Sequence, residues 1–158
     1  MMESSKPTES SRPAPELQTG SAMDNFPFRD KNNETGIEIL VAEDDPMNML
    51  LISEVLKTLG LHVIKACNGE EAVACLNEHH PALVFMDINM PEMDGYEATR
   101  TIRQLPGSQS NIPIIALTAS VMKEDRNRCV QAGMNHLISK PFELKEIRDI
   151  LKHYALVA

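Results

Sequence analysis

Short apolar runs alternate with longer segments of mixed polarity along the chain from Gly36 onwards. Each run is bounded by polar or turn-forming residues, a pattern typical of strands that are buried on both faces of a sheet. We predict five strands, at residues 37–41, 61–66, 82–86, 113–117 and 136–139.

Helices are predicted in the segments that follow these strands. Asp45 followed by Pro46 indicates a helix start, because Asp is a good N-cap and Pro suits the first helical position. Asn68 and Asp94 are each followed three residues later by Glu, which is the spacing of a capping box. Gly133 favours a helix end. The five predicted helices end near residues 59, 78, 105, 132 and 154.

This strand–helix order, repeated five times, predicts an α/β fold. The sheet is expected to be parallel, five-stranded and covered by helices on both faces. Because parallel crossovers are right-handed, a doubly wound sheet in the flavodoxin-like strand order 2-1-3-4-5 is favoured. Ligands of such sheets bind outside the carboxyl ends of the strands, so functional residues are expected at that edge.

Residues 1–36 differ in composition from the rest of the chain. The stretch 1–25 is rich in Ser, Thr, Pro and Glu and poor in apolar residues. Such a segment cannot bury enough surface to offset the entropy of ordering. We therefore predict a disordered tail or linker at residues 1–36 and one folded domain at residues 37–158.

Charge and cysteine content narrow the function classes. The formal net charge of −8 argues against nucleic acid or an anionic membrane surface as the main partner, since both bind through Lys and Arg. Cys67, Cys75 and Cys129 are too widely spaced for a disulfide framework or a zinc site, and we expect buried or half-buried thiols in a reducing compartment. The sequence has no signal peptide and no apolar run that could cross a bilayer. We therefore expect a cytoplasmic protein, and a fragment of a larger membrane protein would give the same pattern.

Polar side chains follow four of the five predicted strands. Each alone has an ordinary structural explanation, such as a helix start or a turn. Because the carboxyl ends of parallel strands meet at one edge, we expect these side chains to lie together. They are Glu43, Asp44 and Asp45 after the first strand, Asp87 after the third, Thr118 after the fourth and Lys140 after the fifth.

Clustered carboxylates require a cation. Two carboxylates 4 Å apart repel each other by roughly 4 kcal/mol at an effective dielectric constant of 20. Mg²⁺ prefers oxygen ligands and commonly combines one or two carboxylates with a phosphate oxygen. A carboxylate such as Asp87 can accept a phosphoryl group, and Thr118 and Lys140 can stabilise phosphoryl oxygens. The residues therefore predict Mg²⁺-dependent phosphoryl transfer.

These residues resemble the receiver (response-regulator) family of two-component signalling. The resemblance runs from about Glu38 to the C-terminus and rests on ILVAEDDP, ALVFMDINMPEMDG, PIIALTA and GMNHLISKPF, in that order. It implies that Asp87 is the phosphoacceptor and that Thr118 and Lys140 bind the phosphoryl group. It also implies that the peptide bond between Lys140 and Pro141 is cis.

The resemblance further implies a metal site. Glu43 and Asp44 match the acidic pair that binds Mg²⁺ together with Asp87, with Asp44 as the more direct ligand. Asn89 matches the position whose backbone carbonyl completes the site. Such a domain is not an enzyme in the usual sense, although it catalyses its own phosphorylation and dephosphorylation.

The resemblance also implies partners and an output. The motifs are most similar to those of receivers in hybrid histidine kinases, so the chain is expected to be either a stand-alone receiver or a fragment of such a kinase. The phosphoryl donor is expected to be a histidine kinase or a histidine-containing phosphotransfer protein. A monomer or weak dimer is expected. Phosphorylation is expected either to shift the face made by the fourth helix, fifth strand and fifth helix or to lead to onward relay. Leu137 departs from the family, which often has an aromatic switch residue there.

Three other functions fit these residues less well. A phosphatase of the haloacid-dehalogenase type needs an Asp-x-Asp signature at the first strand, whereas Asp87-Ile88-Asn89 follows the third. A flavin-binding module needs a glycine-rich phosphate cradle after the first strand, where residues 43–46 are acidic. A degenerate receiver that only binds partners would lack some site residues, yet all of the expected side chains are present.

Overall fold

The computed structural model describes residues 36–158, and the predictions for residues 1–35 lie outside this range. The strands are β1 (Glu38–Ala42), β2 (His62–Ala66), β3 (Leu83–Asp87), β4 (Ile114–Thr118) and β5 (His136–Ser139). The helices are α1 (Pro46–Thr58), α2 (Gly69–Glu78), α3 (Gly95–Arg103), α4 (Lys123–Ala132) and α5 (Leu144–His153). A short 3₁₀ helix at Ser108–Asn111 has no counterpart among the predicted elements, because its four polar residues carry no periodic signal.

All neighbouring strands pair in parallel, in the order β2-β1-β3-β4-β5. This confirms the predicted fold class and strand order. In the centre of the sheet Leu40 of β1 is aligned with Val84 of β3, and Phe85 of β3 with Ile115 of β4. Every residue of β3 and β4 is buried, as expected for strands covered on both faces.

The core lies in two layers, one on each face of the sheet. Successive strand residues point to opposite faces, so Leu40 and Ala42 of β1 join one layer while Ile39 and Val41 join the other. Residues of α2, α3 and α4 complete the first layer. Residues of α1 and α5 complete the second.

Local side-chain bonds fix the helix starts that the sequence predicts. The Asp45 carboxylate accepts a hydrogen bond from the N–H of Met47 at 3.0 Å. Asp94 and Glu97 form a reciprocal capping box at α3. Gly133 ends α4 with a φ of 105°, a left-handed conformation that glycine adopts without steric cost. None of the helices described here is both long and apolar enough to span a membrane.

The start of α2 and the adjacent cysteine depart from expectation. Asn68 accepts a hydrogen bond from the N–H of Glu71 at 2.8 Å, but the Glu71 carboxylate accepts from the N–H of Cys67 at 2.7 Å, one residue before the cap. Cys67 is exposed, so the prediction of a buried or half-buried thiol is wrong for this residue, because the chain leaves the edge strand β2 there. Cys75 is half-buried and Cys129 buried, as predicted.

Helix α5 returns the chain to the amino ends of the strands. The ring of His153, the last residue of α5, contacts the ring of His136, the first residue of β5, with centroids 5.3 Å apart. Glu38, which starts β1, pairs at the same edge with His79 at the end of α2, at 3.7 Å. The described domain therefore begins and ends at the same edge of the sheet.

Candidate functional site

The predicted site residues meet at the carboxyl edge of the sheet. Glu43 directly follows β1, Asp87 and Thr118 are the last residues of β3 and β4, and Lys140 directly follows β5. Glu43, Asp87 and Thr118 are buried and Lys140 is half-buried. The fold thus brings together side chains that are up to 97 positions apart, from Glu43 to Lys140.

Strands β3 and β4 each run one residue further than the sequence predicts. The N–H of Ile88 donates to the carbonyl of Leu117 at 3.1 Å, and the N–H of Lys140 donates to the carbonyl of Thr118 at 2.8 Å. Because this ladder continues, Asp87 and Thr118 are held by sheet hydrogen bonds rather than by a loop. Rigid backbone at the functional positions favours a preorganised site.

A single ammonium group joins two of the carboxylates. Lys140 Nζ lies 3.0 Å from Glu43 Oε1 and 3.2 Å from Asp87 Oδ1. The Glu43 contact is an ion pair rather than a well-directed hydrogen bond, since Glu43 Oε1 has no partner with hydrogen-bonding geometry. The peptide bond between Lys140 and Pro141 is cis, as the resemblance implies.

Asp44 adds a third carboxylate on the solvent side. One carboxylate oxygen from each of Glu43, Asp44 and Asp87 lies within 4.8 Å of the others. Lys140 can neutralise only one of these charges, so two negative charges remain when all three acids are ionised. Oxygen ligands at this spacing suit a hard divalent cation such as Mg²⁺.

The electrostatics of the metal-free site are visible in the pKa of Asp87. Burial, together with the neighbouring Glu43 carboxylate, raises the pKa of the Asp87 carboxyl to about 7, and Lys140 only partly opposes this. Burial by itself lowers the pKa of Lys140, but the Glu43 and Asp87 carboxylates outweigh it and the pKa is raised. The ammonium therefore stays charged, while the acids compete for it.

Asn89 and Thr118, which are also predicted to belong to the site, form hydrogen bonds with nearby residues. The N–H of Asn89, an exposed residue, donates to Asp87 Oδ1 at 3.3 Å. The hydroxyl of Thr118 is not free, because Oγ1 donates to the carbonyl of Ser120 and accepts from the N–H of Ser120, both at 3.0 Å. Thr118 must give up the first of these bonds before it can donate to a bound group.

Two glycines fix the loop between β3 and α3. A side-chain carbon added at Gly95 would lie 2.3 Å from the carbonyl oxygen of Asp87, and one added at Gly69 would lie 2.4 Å from that of Met93. Gly69 N–H donates to Met93 and Gly95 N–H to Ile88, at 2.9 and 2.8 Å. The sequence reasoning did not assign these glycines to the site, although each stands in a turn-forming pair with the preceding Asn or Asp.

A comparison with protein families identifies the class. Residues 39–152 match the family described as the response regulator receiver domain. The chain therefore belongs to the receiver-domain family of two-component signalling, and acceptance of a phosphoryl group is implied by that membership.

Curated relatives fall into two groups by length. The sensor histidine kinase RcsC of Escherichia coli (strain K12) is 35% identical over 142 residues, which cover 89% of this chain but only 15% of RcsC. The polar-differentiation response regulator DivK of Brucella ovis is 35% identical over 116 residues, which cover 73% of this chain and 94% of DivK. The chain thus spans about a seventh of the kinase it resembles and nearly all of the short regulator.

Solved structures agree with this assignment. The receiver domain of the sensor histidine kinase PA1611 from Pseudomonas aeruginosa PAO1 is 40% identical, with a TM-score of 0.70 over 75% of this chain and 96% of that domain. That structure has a magnesium ion coordinated in its active-site cleft. The receiver domain of Ssk1, crystallised with the phosphotransfer protein Ypd1 of Saccharomyces cerevisiae, is 29% identical, with a TM-score of 0.70 over 75% of this chain and 88% of that domain.

Proposed function

We propose that this domain accepts a phosphoryl group from a phosphohistidine onto Asp87, in a reaction that requires Mg²⁺. One observation carries the proposal: the buried Asp87 carboxylate lies 3.2 Å from the Lys140 ammonium and within 4.8 Å of oxygens from two further acids. Such a site has a nucleophile and a fixed positive group, and its carboxylate oxygens suit one divalent cation. Family membership favours this function over the phosphatase and flavin alternatives.

The transfer forms one bond and breaks one. An oxygen of the Asp87 carboxylate attacks phosphorus while the bond from phosphorus to the donor imidazole nitrogen breaks, and the electron pair of that bond leaves with the imidazole. The product is an acyl phosphate on Asp87. Little covalent chemistry is required of the protein, so positioning and charge stabilisation account for most of the rate.

The residues present fit a magnesium ion. The carboxylates of Glu43, Asp44 and Asp87 would hold it, together with the backbone carbonyl of Asn89. When bound, Mg²⁺ supplies positive charge that offsets the carboxylates and the phosphoryl oxygens. Glu43 Oε1, buried without a well-directed hydrogen bond, and the raised pKa of Asp87 are the observations that support this fit.

Lys140 and Thr118 serve the phosphoryl group. The Lys140 ammonium is held at the site by Glu43, so it can pair with a phosphoryl oxygen as Asp87 becomes phosphorylated. The Thr118 hydroxyl can donate to a second phosphoryl oxygen after it releases the Ser120 carbonyl. The same groups orient the acyl phosphate for attack by water, which would limit its lifetime.

A protein donor suits the surface around the site. Exposed apolar side chains follow the carboxyl ends of β1, β4 and β5, where a docked phosphohistidine domain would cover them. We infer that the partner is a histidine kinase or a histidine-containing phosphotransfer protein that packs on this rim. The side chains are Met47, Leu50, Val121, Met122 and Leu144.

The remaining expectations stay proposals. We propose that residues 1–36 are a linker and that residues 37–158 form the signalling domain, which limited proteolysis would test through a resistant fragment starting near Gly36. The monomeric or weakly dimeric state and the cytoplasmic location also stay predictions. The similarity to RcsC over 15% of its length supports an origin in a hybrid kinase, and the similarity to DivK supports a short regulator equally well.

Intact-mass measurement tests the proposed function. Incubation with acetyl phosphate and Mg²⁺ should add one phosphoryl group to the wild type and none to Asp87→Asn. Asp149→Asn is the matched control, because Asp149 is an exposed aspartate on α5, and it should be labelled like the wild type. Asp44→Ala should weaken Mg²⁺ binding in a calorimetric titration. Normal labelling of Asp87→Asn would show that the acceptor has been misassigned.

A further inference from the structure

Three aromatic rings meet at the amino edge of the sheet, away from the carboxylate site. The ring centroid of His136 lies 5.3 Å from that of His153 and 5.7 Å from that of Tyr154. The rings of His153 and Tyr154 lie 4.8 Å apart, and the two rings of each pair are close to perpendicular. We name these three residues the histidine cluster.

The backbone holds both imidazoles of the histidine cluster in place. His136 begins β5 and is aligned with Ile115 of β4. His153 ends α5, and the turn beyond it is closed by the N–H of Ala155, which donates to the carbonyl of Lys152 at 2.9 Å. Two side chains on regular elements, one in the sheet and one in a helix, can form a preorganised binding site.

The ring nitrogens of the two histidines are available to a ligand. Within residues 36–158, neither histidine forms a hydrogen bond or an ion pair through its ring. His136 is half-buried, yet neither of its nitrogens is closed off from solvent, and His153 is exposed. Burial and the neighbouring His153 lower the pKa of His136, so its ring is neutral at pH 7. A neutral imidazole with an available nitrogen is the form that binds a metal ion.

The spacing of the two imidazoles fits one bound ion. With a Zn–N bond of about 2.0 Å and a tetrahedral angle, two imidazole rings on one zinc ion have centroids roughly 5 Å apart. The observed 5.3 Å between His136 and His153 agrees with this spacing, so a bound ion requires rotation of the rings rather than a shift of β5 or α5. The ring of His153 can turn because its side chain is exposed.

The surroundings of the histidine cluster select the kind of ion. No Asp, Glu or Cys among residues 36–158 forms a three-ligand group with the two histidines, and the positive charge of Arg103 acts on the Tyr154 ring. A hard cation such as Mg²⁺ is disfavoured here, because it needs oxygen ligands. Imidazole nitrogens instead suit Zn, Cu and Ni. Burial raises the pKa of Tyr154, so its phenol stays protonated and leaves the remaining coordination positions to water.

We propose that His136 and His153 form a binding site for a divalent transition-metal ion such as Zn²⁺, with water in the remaining coordination positions. The ion would join the first residue of β5 to the last residue of α5 and so stabilise the C-terminal end of the domain. The proposal does not depend on phosphorylation of Asp87, which lies at the opposite edge of the sheet.

Calorimetric titration of the full chain with Zn²⁺ tests the site, with Mg²⁺ in large excess to compete for the carboxylates. The wild type should bind Zn²⁺, and His153→Gln and His136→Gln should each weaken this binding at least tenfold. His62→Gln is the matched control, because His62 is an exposed histidine on β2, and it should bind Zn²⁺ like the wild type. Binding should also weaken as the pH falls below about 6.5, because a protonated imidazole cannot act as a ligand.

Ring ¹⁵N chemical shifts of the histidines identify the ligands. Added Zn²⁺ should move the resonances of His136 and His153 and leave those of His62 in place. Since His153 is exposed, His153→Gln should keep the fold, which circular dichroism checks. Equal Zn²⁺ affinity in His153→Gln and the wild type would overturn the proposal, as would a wild type that binds no Zn²⁺. Loss of binding in Asp44→Ala or Cys67→Ser would place the ion at the carboxylates or the exposed thiol and would equally overturn it.

Discussion

Two charged centres lie at opposite edges of the sheet, and they are built in contrasting ways. At the carboxyl edge, Glu43, Asp44 and Asp87 share one ammonium, that of Lys140. At the amino edge, Arg103 at the end of α3 is surrounded by acceptors that precede β4 and β5. The first centre combines like charges, whereas the second combines one charge with neutral dipoles.

Every N–H donor of the Arg103 guanidinium has a hydrogen-bond partner. A guanidinium has five N–H donors, and the structure gives each of them a partner at 2.7 to 2.9 Å. Burial lowers the pKa of Arg103, but the group remains a cation at neutral pH. The acceptors are the carbonyls of Ser110, Ile112 and Gly133 and the side chain of Asn135.

The difference separates a structural centre from a functional one. Arg103 has no donor left for a ligand, so its bonds can only hold the chain segments around it. The carboxylate centre instead carries repulsion that a bound cation and a phosphoryl group can relieve. Repulsion between carboxylates in a partly exposed site favours the binding of a cation and a phosphoryl group.

The largest effect on stability is expected from removing the Arg103 side chain. Arg103→Ala should lower the free energy of unfolding by about 3 kcal/mol, because three partly buried carbonyls lose their donor at once. Arg100→Ala, an exposed arginine three residues earlier on α3, is the control and should change stability little. Urea denaturation measures both. If the two variants lose stability equally, Arg103 is not a structural centre.

Removing the Asp87 charge from the carboxylate centre should raise the free energy of unfolding, in contrast to Arg103→Ala. The unfolded Asp87 carboxyl ionises near its ordinary pKa of about 3.9, but in the metal-free folded chain burial and Glu43 raise the pKa to about 7. Ionisation of Asp87 therefore costs the fold stability progressively as the pH rises from about 4 to 7, and the full cost is present above that.

Thermal melts in chelator test this sign. Asp87→Asn should be more stable than the wild type by on the order of 2 kcal/mol at pH 8, and the gain should shrink toward pH 4. Asp149→Asn is the control: Lys145 lowers the pKa of Asp149 in the folded chain, so this variant should gain nothing. A gain for Asp87→Asn that does not depend on pH would contradict the electrostatic explanation.

Mg²⁺ should stabilise the fold by relieving the repulsion at the carboxylate centre. A cation that binds only the folded state at ten times its dissociation constant stabilises by about 1.4 kcal/mol. Wild type and Arg103→Ala should both gain this amount in thermal melts, whereas Asp44→Ala should gain less. An equal gain in all three proteins would place the bound cation elsewhere.

The smallest effect concerns a third kind of buried polar group. Ser53 in α1 is buried, and its hydroxyl has no hydrogen-bond partner within residues 36–158. Ser53→Ala should raise the free energy of unfolding by about 1 kcal/mol, because it removes an unsatisfied hydroxyl and favours the helix. Phosphorylation should be unchanged. A loss of labelling at full stability would instead link Ser53 to the site.

The sequence predicts the carboxylate centre better than the Arg103 centre. Asp87, Thr118 and Lys140 come directly after apolar runs, and the parallel fold brings such positions together whatever the loops do. The acceptors of Arg103 are mostly backbone carbonyls, which every residue carries, so no pattern indicates them. The bond between Ser120 and Asp125 was likewise not predicted, because it depends on the path of one loop.

The edge at which the chain enters and leaves the domain has a further consequence. Glu38 and His153 both lie at the amino edge, while Asp87 lies at the carboxyl edge, one strand length away. The chain therefore enters and leaves the described domain on the side away from the site. If the domain is joined to its donor through either end, a linker long enough to span the distance would raise the effective concentration of the acceptor without altering a contact at Asp87.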